Sequence, residues 1–140
     1  MLLAALLLQA AALPLPPPGS DRGCDRNAVR YTPEREWRGV WVNHFEGSLF
    51  YEGETSADRL DWGRPLVWFY DRDKIALTSV PMEDRGYGKA YRIRFFGRRT
   101  IDAPQGHRCG FGHMGSSSAE IVPTRMISIV RLTDTQEAPT

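Results

Sequence analysis

From Tyr91 to Phe95 apolar and charged side chains alternate: Tyr91, Ile93 and Phe95 fall on one face, Arg92 and Arg94 on the other. A period of two is what an extended strand with one buried face requires, and it is the tightest constraint that the chain places on its own fold. Gly97 ends or bends this strand. The loop that follows, up to Gly115 in YRIRFFGRRTIDAPQGHRCGFGHMG, holds two of the three histidines and one of the two cysteines.

Other segments share the strand character. Trp37 to Phe45 reads WRGVWVNHF, with Trp37, Trp41 and Phe45 on one face and Val40 and Val42 on the other, and Gly39 inside the run permits a bulge or sharp coil. Glu46-Gly47 interrupts it before Ser48 to Tyr51 resumes, either as a tight hairpin or as one bulged strand. Glu52 to Pro65 is polar and breaker-rich, with room for one helical turn starting at Ser56. Leu66 to Tyr70 and Ile75 to Val80 flank the charged turn Asp71 to Lys74 and read as a hairpin. In Glu120 to Leu132, Pro123 places a break near the start, so Met126 to Leu132 is the expected last strand. Short strands without a helix of three turns predict an all-β fold. A small antiparallel OB-like barrel, with Trp41, Trp68 and Phe95 in a common interior, is the first expectation, and a small β-sandwich is the alternative.

The 140 residues, 41% of them hydrophobic, suit one core. Met1 to Leu8 is apolar, Ala10 to Ala12 are small, and Pro14 to Pro18 forbid helix continuation, so residues 1–12 read as a secretory signal peptide, although no Lys or Arg precedes the apolar run. Residues 13–30 read as a flexible lead-in, 31–133 as the single barrel domain and 134–140 as a disordered tail. A run this short leaves no membrane span after cleavage, and a periplasmic or secreted location is expected. The 18 basic and 17 acidic residues nearly cancel, so no long-range field draws the chain toward nucleic acid or an anionic membrane.

The segments GVWVNHFEGSLF, YRIRFFGRRT, GFGHMG and MISIVRL together resemble a group of small exported bacterial OB-fold-like proteins of unassigned function. The resemblance implies export and an OB-like barrel. It implies no activity and carries no site residues.

The chemistry concentrates in the glycine-histidine loop. In an oxidising compartment Cys24 and Cys109 can pair, tying the lead-in to that loop. A competing reading makes His107, Cys109 and His113 a zinc site, with a fourth ligand such as His44, Asp102 or Glu120; a cysteine in a disulfide cannot also be a thiolate ligand. Gly110, Gly112 and Gly115 can bring backbone N–H groups to an anion, with Arg98, Arg99, Arg108 and His113 supplying charge. The spacing of those glycines lacks the strand and helix that a dinucleotide fingerprint needs, and GHMGSSS is not a nucleophile elbow for Ser116, Ser117 or Ser118. Glu46, Glu52 and Glu54 read as solvated. Arg92, Arg94, Phe96, Arg98 and Arg99 have the flavour of a single-strand-binding surface, which balanced charge and export argue against. The expectation is a noncatalytic exported module, binding an envelope protein, a cell-wall component or a small anion. The alternative is a metal-assisted hydrolase built on His107 and His113.

Overall fold

The computed structural model describes residues 24–58, 60–61, 63–101 and 109–132. The segments read as signal peptide and C-terminal tail, together with Asp102, His107 and Arg108, lie outside them. Among the described residues five strands close into a barrel: β1 (Arg35–His44), β2 (Gly47–Glu52), β3 (Val67–Phe69), β4 (Lys89–Arg99) and β5 (Ala119–Arg131), with one short α-helix, α1 (Ile75–Thr78), between β3 and β4. Around the barrel the order is β1, β2, β3, β5, β4 and back to β1. This is the all-β OB-like barrel that the strand pattern predicts. One pair departs from the antiparallel expectation: β3 runs parallel to β5 over Val67–Phe69 and Ala119–Ile121.

The β4 alternation builds the interior. Tyr91, Ile93 and Phe95 are fully buried and meet Trp37, Trp41, Phe50, Phe69 and Ile121 from the other strands. The rings touch in mixed geometries. Trp41 lies 5.0 Å from both Phe69 and Tyr91, while Phe95 meets Phe50 and Phe69 edge-on at 5.4 Å. Buried indoles keep partners, as burial demands. Trp37 Nε1 donates to the Gly97 carbonyl at 3.0 Å and Trp41 Nε1 to Ser48 Oγ at 2.9 Å. At Gly39 a methyl group would collide with the Tyr51 carbonyl and the Phe50 ring, so this glycine lets β1 press flat against β2.

A second apolar cluster lies outside the barrel wall. Val40 and Val42 of β1 and Tyr51 of β2 are buried there by Leu60, with Leu49, Ala57, Ala90 and Leu132 around them. The connection from β2 to β3 thus folds back over the wall, and the Arg64 guanidinium sits 5.1 Å from the centre of the Tyr51 ring. The described residues of that connection include no helical turn at Ser56.

Four further expectations are corrected. The hairpin read over Leu66 to Val80 is instead β3 followed by α1, because Asp71 turns its carboxylate onto the helix start, accepting from the Ala76 and Leu77 amides at 3.1 and 2.9 Å. Ala76 and Val80, four residues apart, then close the barrel end. Trp68 is not interior: its neighbour Phe69 faces inward, so Trp68 faces outward, half-buried. Phe45 does not share the buried face of Trp37 and Trp41, because the chain turns at Phe45-Glu46 into an antiparallel β1–β2 hairpin that leaves it 73% exposed. Pro123 ends no strand, and of the two readings of Gly97 it is the bend that fits, because β4 continues through it to Arg99 with a register slip. The two residues face each other where the β4–β5 register slips, and beyond Ile121 β5 has no β3 partner that would need a proline N–H.

Candidate functional site

The loop between β4 and β5 is held at several points. Cys24 and Cys109 form a disulfide with a Cα–Cα distance of 4.8 Å. Arg26, in a single 3₁₀ turn after Cys24, donates to the Gly110 carbonyl at 2.9 Å and lies 5.4 Å from the Phe111 ring centre. Arg30 accepts at its carbonyl from the Ile101 amide at 2.8 Å. From Cys24 onward, therefore, the segment read as a lead-in is part of the fold. Phe111 and Ser117 exchange backbone hydrogen bonds at 2.9 and 3.0 Å, making a small bridge that projects residues 112–116 as a tip.

That tip lies over Trp68. Gly112 has φ +71, and a side chain there would enter the indole ring. Its next residue, His113, places Nε2 3.5 Å from Glu46 Oε2 at the β1–β2 turn, with both side chains about half exposed (43% and 55%). Glu46 and Met114, with φ 60 and 50, are two of the three non-glycine residues at positive φ among the described residues. Around this contact stand Phe45, Tyr87 and Met114, which are 73%, 68% and 83% exposed. Phe45 and Tyr87 meet edge-on at 5.7 Å, and Asn43 Nδ2 and its carbonyl bond Gly86 and Gly88 beneath them. At the base of the hairpin, burial pushes His44 below the usual histidine value, which favours the neutral ring.

The candidate residues read from the sequence are distributed as follows. Cys24 and Cys109 are joined, and this corrects the zinc reading of His107, Cys109 and His113: a disulfide sulfur is no thiolate ligand. Among the described residues no group of three His, Cys, Asp or Glu is placed to hold a metal; His107 and Arg108 lie outside them. The described members of the anion set, Arg98, Arg99 and His113, are not gathered either. Arg98 and Arg99 are consecutive on β4 and point to opposite faces, Arg99 donates to the Thr100 carbonyl at 3.2 Å, and His113 faces Glu46. Sequence reading missed Phe45, Glu46, Tyr87 and Met114 as one neighbourhood, because the contacts that join them span distant parts of the chain. No protein-family model, curated protein or solved structure matches the chain.

Proposed function

We propose that this chain is a noncatalytic binding module of the cell envelope, which engages a protein partner through the rim formed by Phe45, Tyr87 and Met114. One observation carries the reading. Of the large apolar side chains left in water among the described residues, the four most exposed are Met114, Met82, Phe45 and Tyr87, and three of them stand on this rim. Isolated exposed apolar residues are ordinary, but a group of aromatic and thioether side chains on three braced turns has the composition of an interface centre. The loop's versatile groups are meanwhile committed to structure: Cys109 to its disulfide, Phe111 and Ser117 to their bridge, His113 to Glu46. Export belongs to the same proposal and is supported by the apolar N-terminal run and by a disulfide of the kind that oxidising compartments maintain.

The test is site-specific photocrosslinking in cells, with the crosslinker at position 45 or 87 and, as a control, at Arg72 on an exposed turn. The expected result is one discrete adduct from positions 45 and 87, absent from 72, and lost in Met114→Ser while the unfolding midpoint stays unchanged. Identical patterns from all three positions, or no adduct from any, would overturn the reading.

A further inference from the structure

The outward face of the β1–β4–β5 sheet lies apart from the rim and carries a different chemistry. The registers place Glu36, Phe96 and Arg125 in one row across the three strands, Arg38, Arg94 and Ser128 in the next, and Val40, Arg92 and Val130 in the third. Arg98 extends the face beside Val122. Arg38, Arg92, Arg94, Arg98 and Arg125 are all exposed. Among the described residues only Arg94 meets a carboxylate there: its Nε and Nη2 both donate to Glu36 Oε1, at 3.0 and 2.8 Å. Glu34, the other nearby acid, accepts from Thr124 Oγ1. Among the described residues Arg38, Arg92 and Arg98 form no ion pair. Arg38 is moreover directly opposite Arg94, a like-charge cross-strand pair that costs stability in a sheet. A chain whose charges balance overall has thus put an excess of guanidinium on one wall.

We propose that this wall binds an acidic polysaccharide, a chain of sugars bearing carboxylates. The arginines are spread over a sheet rather than gathered in a pocket, which suits an extended ligand with repeated charges better than a single small anion. Neighbouring strands lie about 4.8 Å apart, a spacing of the same order as one sugar ring. Guanidinium binds carboxylate through paired N–H donors, and the face already displays that contact with its own Glu36, which occupies Arg94 as a ligand carboxylate would. Single-stranded nucleic acid fits less well, because stacking needs successive rings. The face offers one, Phe96, half-buried and covered by the Arg125 guanidinium at 4.4 Å.

The experiment titrates the disulfide-intact protein with a galacturonic acid decamer, with neutral dextran and an oligo-dT of equal charge as comparison arms. The decamer is expected to bind in a salt-sensitive manner. Arg38→Gln/Arg92→Gln/Arg98→Gln is expected to weaken it about tenfold or more at an unchanged unfolding midpoint, and Arg72→Gln to leave it unaltered. Glu36→Gln, which frees Arg94, is expected to tighten binding, a gain that damage to the fold cannot imitate. No binding of the decamer, equal binding of dextran, tighter binding of oligo-dT, or a triple variant indistinguishable from the parent would each overturn the proposal. The rim variant Met114→Ser is expected to bind the decamer normally, so this surface and the rim can fail separately.

Discussion

Two glycines at positive φ show how the surroundings add to conformation in deciding what a side chain costs. Gly53 and Gly112 have φ +80 and +71, but a methyl group at Gly53 meets nothing, whereas at Gly112 it would enter the Trp68 ring. Gly53→Ala should therefore cost only the left-handed penalty, about 1–2 kcal/mol. Gly112, at φ +71 and ψ −159, has a backbone that essentially only glycine adopts, so Gly112→Ala adds overpacking to that strain and should cost about 3 kcal/mol or more in chemical denaturation. Equal losses would mean that the tip does not rest on the indole. A second single-residue effect is set by pH. Burial, then the 2.8 Å hydrogen bond to Glu120, pushes Tyr31 up to about 12 from an ordinary value of 10.0. The unfolded chain loses that proton first, so the stabilisation is complete below pH 10 and disappears as pH rises toward 12. Tyr51 and Tyr91 are also raised by burial and add to the same alkaline loss. Unfolding midpoints measured across this window should fall less steeply in Tyr31→Phe than in the parent.

At the scale of elements, α1 is the place where local preference and tertiary context diverge. Its four residues are too few to hold a helix by themselves, and the Asp71 carboxylate supplies acceptors for two amides that would otherwise lack them. Asp71→Ala should destabilise the protein by about 1 kcal/mol, while Asp73→Ala, in the same turn but with its carboxylate on Arg72, should leave the midpoint nearly unmoved. The same element explains what could be read in advance. Tyr91, Ile93 and Phe95 announced their face because polar residues separate them, whereas IALTSV satisfies a buried strand and a helical turn equally until the Asp71 contact is known. Trp68 was ambiguous for a related reason: LVWFY is apolar on both faces, since Phe69 enters the barrel and Trp68 is roofed by Gly112. Within the candidate site, the cysteine pair was legible because only two cysteines exist. The Glu46–His113 contact and the arginine rows depend on strand register, which side-chain type alone does not reveal.

Across the whole molecule the disulfide joins the β4–β5 connection, which carries the rim residue Met114, to the chain ahead of β1. Cys24 and Cys109 are 85 residues apart in sequence, so the bridge closes a loop that includes β1 to β4. Constraining so long a loop in the unfolded state is worth about 4–5 kcal/mol in the chain-entropy model, and Cys24→Ser/Cys109→Ser should lose about 2–5 kcal/mol in denaturant unfolding. The loss should also be uneven within the native state. The Phe111–Ser117 bridge depends on the disulfide and Arg26 at its base, whereas Ile93 is held on both sides by β1 and β5. Amide exchange in the double variant is therefore expected to accelerate more at Phe111 and Ser117 than at Ile93. Uniform acceleration at all three sites would mean that the bridge stabilises the barrel as one cooperative unit and does not specifically brace the rim. The uneven outcome, with decamer binding by the arginine wall preserved, would show that the disulfide braces the loop that carries the rim residue Met114 and leaves the wall unaffected.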